Sequence, residues 1–114
     1  MVSATKAPDR GDVVWLEFDP QAGQEQALRR PALILSPARY NARTSLAIVC
    51  PITSKVKGYP FEVQVPEGEG VSGAVLADHI KSLDLRARKA KYICSLPDDV
   101  VNDVLAKLET LLWD

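Results

Sequence analysis

The sequence is poor in the residues that metal and redox chemistry draw on: one histidine, His79, and two cysteines, Cys50 and Cys94, among 114 residues. That supply matches no recurring metal-ligand spacing and argues against metal catalysis. Both cysteines lie in apolar stretches, AIVCPI and KYICSL. This suits small buried side chains better than a disulfide, since a cytoplasmic chain keeps its thiols reduced. No apolar run nears the roughly 18 residues of a membrane span, and MVSATKAPDRGD lacks the apolar centre of a secretory signal. The expectation is a cytoplasmic protein with no membrane contact. There is no internal repeat, linker or low-complexity block, so residues 1–114 read as one domain. With 46% hydrophobic and 25% charged residues the composition is that of an ordered globular domain. A domain of this size closes only a modest core, which pairing with a second copy would enlarge.

Net charge is also nearly absent, at −1, which at first sight disfavours a nucleic-acid binder. The distribution is more informative than the sum. Arg29, Arg30, Arg39, Arg43, Lys55 and Lys57 fall between Arg29 and Phe61 with no acidic residue among them. Between His79 and Pro97 come Lys81, Arg86, Arg88, Lys89 and Lys91 against the single Asp84. Acids gather at the two ends and in Glu67–Glu69. Solvated surface explains such charges in most domains, but a basic middle framed by acidic ends also permits a polyanion site.

The pattern of side chains predicts short strands and a terminal helix. Asp12 to Asp19 (DVVWLEFD) reads as a strand closed by Pro20, followed by a long polar loop over Gln21 to Arg30. Ala32 to Leu35 (ALIL) is a continuous apolar run, as in a strand buried on both faces. Ser36-Pro37 offers a helix cap and first helical residue, with a short helical turn over Arg39 to Asn41. Leu46 to Ile52 is a third strand, in which Pro51 marks an edge or bulge. Phe61 to Val65 alternates, Pro66 to Gly73 is a glycine-rich loop, Ala74 to Leu83 gives one or two strands, and Lys91 to Cys94 a last one. Ser95 followed by Asp98 signals a helix start, and Val101, Val104, Leu105, Leu108, Leu111 and Leu112 recur at helical spacing. The fold class is therefore mostly β with α: a small antiparallel barrel or half-barrel with a C-terminal helix packed on it.

Three blocks, taken in order, resemble the MazF/PemK family of toxins. GDVVWLEFDPQAGQEQALRRPALILSPARYN is similar to the family's opening, with its G-D-[apolar]-W strand, its loop closing in R-P and its strand ending S-P. PITSKVKGYPFEV resembles the second block, and VLADHIKSLDLRAR the third. The resemblance implies an SH3-like barrel and a homodimer. It further implies the toxin of a type II toxin–antitoxin system that cuts single-stranded RNA at short sequences without metal or other cofactor. The partner it implies is an antitoxin whose disordered acidic tail occupies the RNA groove. Such a tail and RNA would meet the same lysines and arginines.

Metal-free cleavage can run through attack of a 2′-hydroxyl on phosphorus, leaving a 2′,3′-cyclic phosphate and a 5′-hydroxyl. That step needs a base, a charge to steady the crowded phosphate and an acid for the leaving oxygen. The resemblance places the catalytic pair at Arg30 and Thr53. A guanidinium can donate two parallel hydrogen bonds to phosphate, and a threonine hydroxyl one more. Guanidinium holds its proton far above neutral pH, so Arg30 suits transition-state stabilisation better than the role of base. The acceptor of the 2′ proton stays open. Glu25, in a family E-Q pair, reads a base or is a solvated loop acid. Arg29, Lys57, Lys81, Arg86 and Arg88 are candidate phosphate contacts.

Asp78 and His79 are candidate RNA contacts as well. Relatives often carry glutamine at the histidine position, and in a regular strand the two neighbours would face opposite ways. His79 is thus either a base-contacting or surface residue, or a proton carrier near neutral pH. Trp15 and Trp113 read as core or dimer anchors, while Tyr40, Tyr59 and Phe61 are the candidates for stacking on unpaired bases, Phe61 with a competing core role. Two other functions fit the fold: a toxin that binds DNA gyrase without chemistry, using a C-terminus such as Leu111-Leu112-Trp113-Asp114, and a member that binds RNA or antitoxin without cutting.

Overall fold

Strand β1 (Asp12–Glu17) is sandwiched between two apolar layers, because Val13 faces one core and Val14 and Leu16 the other. In the computed structural model, which describes residues 7–18 and 29–113, it is followed by β2 (Arg29–Ile34), α1 (Ala38–Thr44), β3 (Leu46–Thr53) and β4 (Glu62–Gln64). Then come β5 (Ala74–Leu76), β6 (Lys81–Asp84), β7 (Lys91–Ser95) and α2 (Asp98–Leu112). The strands lie in the order β4-β5-β3-β2-β1-β7, with β6 paired to β3 as well, and every pairing is antiparallel. The antiparallel sheet and terminal helix follow the sequence pattern. The sheet does not close: among the described residues nothing pairs β4 with β7.

The larger core lies under α2, where Val100, Val101, Val104 and Leu108 cover Val13, Leu33 and Val75. The smaller lies on the opposite face, where Leu83 and Leu85 close over Leu16, Ile34 and Val49. The unbroken ALIL run is thereby explained, since β2 is covered on both sides. Each such side chain contributes about 1.5–3 kcal/mol through burial. Cys50 is fully buried, and burial, with the Asp78 carboxylate as a lesser cause, pushes its thiol up to about 12. Cys94 is half-buried, and both thiols are free. No helix among the described residues is long and apolar enough to cross a membrane.

Pro51 is not at an edge, as the sequence suggests, but in the central strand. Leu35 N–H donates to Ile48 O, so alternation makes Leu33–Cys50 a hydrogen-bonded pair and Ala32–Pro51 a non-bonded one. The missing N–H of Pro51 thus points away from β2, into the gap between β6, which ends on Val49, and β5, which begins on Ile52.

Neither expected serine cap forms. Pro37 and Pro97 are the N-caps of α1 and α2, and Ser95 ends β7 and donates to Asp12 instead. Buried Ser36 is tied to buried Asn41: its hydroxyl donates to Asn41 Oδ1 at 2.6 Å and accepts from Ile48 N–H. The Asn41 amide in turn donates to the carbonyls of Pro8 and Ser36. This cluster ties the N-terminal segment and α1 to β3. Asn41→Ala should lower unfolding free energy by about 2 kcal/mol, because it strands several polar groups without partners. Urea denaturation checks this, and an unchanged midpoint would mean that water replaces the amide at no cost.

Candidate active site

Arg29 and Arg30 open β2 and Thr53 ends β3, so the pairing of these two strands sets their relation. Carrying the Ala32–Pro51 register two residues further brings Arg30 opposite Thr53, where paired side chains point to the same face. That is the face of Leu16, the partner of Arg30 in β1. Arg29 alternates to the other face with Trp15 and Pro31. Around this end of the sheet lies a cleft of about 520 Å³, lined by Trp15, Arg29, Arg30, Thr53, Lys55 and Val71 among others. Among the described residues the lining holds three cations and no carboxylate.

Thr53 is held by its neighbours. Its hydroxyl oxygen accepts a hydrogen bond from Lys55 N–H at 3.0 Å, which leaves the hydroxyl proton to donate outward. Its backbone pairs with Ala74 in β5, and the preceding Gly73 has φ +114°. A Cβ on Gly73 would collide with the Thr53 carbonyl oxygen. Only glycine permits this approach of β5 to the end of β3.

The turn after β6 supports the far end of β1. Asp84 accepts from the backbone N–H groups of Arg86 and Ala87 and from the Ser45 hydroxyl, and the Ala87 amide above all holds its carboxyl below the usual carboxylate range. This turn carries Arg88 to the end of β1, where Nη1 donates to the carbonyls of Glu17, at 3.1 Å, and Phe18. Arg88 thus fastens backbone, and Arg86 is exposed in the turn. Lys81 lies 5.9 Å from the Phe18 ring and shares by alternation the face of Leu83, hence that of Arg30.

The other candidates do not line the cleft. Lys57 is exposed beside Tyr59, and its backbone N–H donates to Glu62. Asp78 and His79 occupy a turn after β5 rather than a strand, so strand alternation does not separate them: Oδ1 and Nε2 are 3.9 Å apart. Both are exposed. Glu25 lies outside the described residues. Tyr59 is exposed, Phe61 is half-buried against the main core, and Tyr40 borders a separate apolar groove. Sequence reasoning missed Lys55, Gly73 and the place of Trp15 in the cleft. Lys55 follows Thr53 by two residues, a spacing at which a threonine hydroxyl commonly takes the backbone N–H. Trp15 alternates with Val13, but at the sheet's end that face opens to solvent.

Three cations and a threonine hydroxyl thus meet in a cleft at one end of a small antiparallel sheet that carries one long C-terminal helix. Over residues 9–112 the chain matches the family described as PemK-like, MazF-like toxin of type II toxin–antitoxin system, and it belongs to that family. It is 43% identical to the endoribonuclease toxin MazF of Escherichia coli K12 over 92% of this chain and 94% of that one. It is 36% identical to the endoribonuclease toxin ChpB of the same organism, over 91% and 93%. Among solved structures, MazF of Deinococcus radiodurans superposes with a TM-score of 0.85 at 57% identity, covering 93% of this chain and 96% of that chain. A MazE–MazF crystal structure from the same organism gives 0.83 at 52%, covering 93% and 95%.

Gly73→Ala should cost about 1–3 kcal/mol, from the positive φ and the clash with the Thr53 carbonyl. Thermal or urea unfolding measures it; wild-type stability would show that the end of β3 yields easily.

Proposed function

We propose that the chain is the toxin of a type II toxin–antitoxin pair: a single-domain, cytoplasmic endoribonuclease that cleaves single-stranded RNA at a short sequence without a metal. The observation that carries this reading is the juxtaposition of Arg30 and Thr53 across β2 and β3 in a cationic cleft, in a chain belonging to this family. The scissile phosphate sits between them. The guanidinium of Arg30 donates to two phosphate oxygens and strengthens as charge builds on them, while the Thr53 hydroxyl donates to a third position. The RNA's own 2′-hydroxyl attacks phosphorus and gives its proton to solvent water, the P–O5′ bond breaks, and the leaving 5′-oxygen takes a proton from water while the Arg30 guanidinium, keeping its own, hydrogen-bonds to it. Arg29 and Lys55 hold the flanking phosphates, and Lys81 extends the cationic surface over Phe18. Lys57, Asp78, His79 and Arg86 serve RNA beyond the cleft, and Glu25, outside the described residues, reads a base.

The partners follow from the same surfaces. An acidic antitoxin tail, disordered when free, competes with RNA for the cleft by charge. The protein acts as a homodimer. In support, Ile80, Leu112 and Trp113 are exposed around an apolar groove of about 860 Å³ between α2 and the α1 side of the sheet. Trp113 is 74% exposed, an unusual position for so large an apolar side chain unless a partner covers it.

Incubating the protein with a long single-stranded RNA in EDTA, with product ends mapped, tests the central reading. Discrete cuts with cyclic-phosphate ends are expected, and Arg30→Ala and Thr53→Ala should each slow them by at least about 100-fold. Near-normal cutting by either variant removes that residue from the mechanism. Uncut RNA rejects the enzyme and directs the work to gyrase inhibition. His79→Gln should retain most activity; a collapse with a shifted pH profile would make His79 a proton carrier. Trp113→Ser should shift sedimentation toward the monomer, and an unchanged dimer would place the interface elsewhere.

A further inference from the structure

We infer that Arg29 and Trp15 form a stacking platform for one unpaired nucleobase beside the scissile phosphate, a role that rests on the reading of the cleft as an RNA site. The Arg29 Cζ lies over the Trp15 ring, 5.1 Å from its centroid, within the range of a cation–π contact. The arrangement arises from the sheet. Trp15 and Arg29 share a face because Trp15 pairs with Pro31 and Glu17 with Arg29. The indole is half-buried and lines the cleft. Arg29 is exposed, so the outer plane of its guanidinium faces solvent.

Among the described residues nothing engages the edges of that guanidinium. Glu17, its partner across the ladder, has its carboxylate 3.9 Å from Lys89 Nζ instead. Among the described residues no hydrogen bond or ion pair engages the Arg29 side chain. A guanidinium held over an aromatic ring can do two things together. Its free plane accepts a base by stacking, and its edge N–H groups reach the phosphate of the same nucleotide. The rest of the wall suits a base. Val71 is half-buried and apolar, and Gly70 adds no side chain. Trp15, which sequence alone reads as a core or dimer anchor, thereby becomes part of the substrate surface. An arginine acting only as a phosphate contact would need no ring beneath it, and a lysine would serve as well.

The distinction between plane and charge supplies the test. The ligand is an oligonucleotide spanning the mapped cut, with 2′-deoxyribose at the attacking position so that it binds without being cut. Each nucleotide is replaced in turn by an abasic one, and affinity is measured for wild type and Arg29→Lys, a surface change that leaves folding intact. At one position next to the cut, base removal should weaken wild-type binding about tenfold, the size of one lost stack. Arg29→Lys should bind the complete oligonucleotide about tenfold more weakly, lose nothing further at that abasic position, and keep the wild-type salt dependence. Binding should also quench tryptophan emission in the wild type and fail to do so in Trp15→Phe. Equal abasic penalties in both proteins at every position, with no quenching assignable to Trp15, would overturn the platform while leaving the RNA site intact. Failure of wild type to bind the oligonucleotide even at low salt would overturn the RNA reading, and the platform with it.

Discussion

The pairing of β2 with β3 is the constraint on which the rest depends. Leu33 opposite Cys50 and Ala32 opposite Pro51 place alternate side chains in two different cores. A slip of one residue would turn every side chain of β2 to the wrong layer, so two buried faces lock the register twice over. The same register, extended to the strand ends, is what sets Arg30 across from Thr53. Chemistry at the rim is thus inherited from packing in the middle, and the site needs few dedicated contacts of its own.

Those dedicated contacts lie one step back from the proposed pair, Arg30 and Thr53. Gly73 lets β5 approach the Thr53 carbonyl, Lys55 N–H occupies one lone pair of its hydroxyl, and Arg88 gathers the carbonyls at the end of β1, the strand that flanks Arg30. Their common effect is to fix backbone, which is how a small sheet can hold a flexible guanidinium within reach of a target whose charge must be met with sub-ångström tolerance.

Much of the architecture was legible in the sequence because it is written in side-chain period. The ALIL run, the alternation of Phe61 to Val65 and the helical spacing of Val101, Val104 and Leu108 each report the burial they actually have. Features that depend on a distant neighbour were not legible. Ser36 and Ser95 have the local signature of caps, yet Asn41 and Asp12 take their hydroxyls. Pro51 reads as an edge residue, since nothing nearby reveals that its missing N–H would meet a gap. At the site, Arg30 and Thr53 became candidates through resemblance, and the strand register independently sets them opposite one another. Arg88 reads as a candidate phosphate contact, because the backbone acceptors it binds instead are about 70 residues away. The Asp78–His79 pair was misjudged for the opposite reason: a turn removes the alternation that a strand would impose.

The interruption at Pro51 has a consequence for how such a scaffold can diversify. With no N–H at that point, the outer side of β3 is divided into two ladders, β6 on Leu46 to Val49 and β5 on Ile52 to Thr53, which among the described residues are not paired with each other. Insertions or deletions between Val65 and Gly73 can reshape one ladder's approach to the cleft without passing strain to the other. The unbroken ladder with β2 runs along the opposite side of β3 and is untouched by either. The seam therefore separates a part of the sheet that must keep its spacing from a part that is free to vary, so that the rim of the cleft can drift while the distance between Arg30 and Thr53 stays constant.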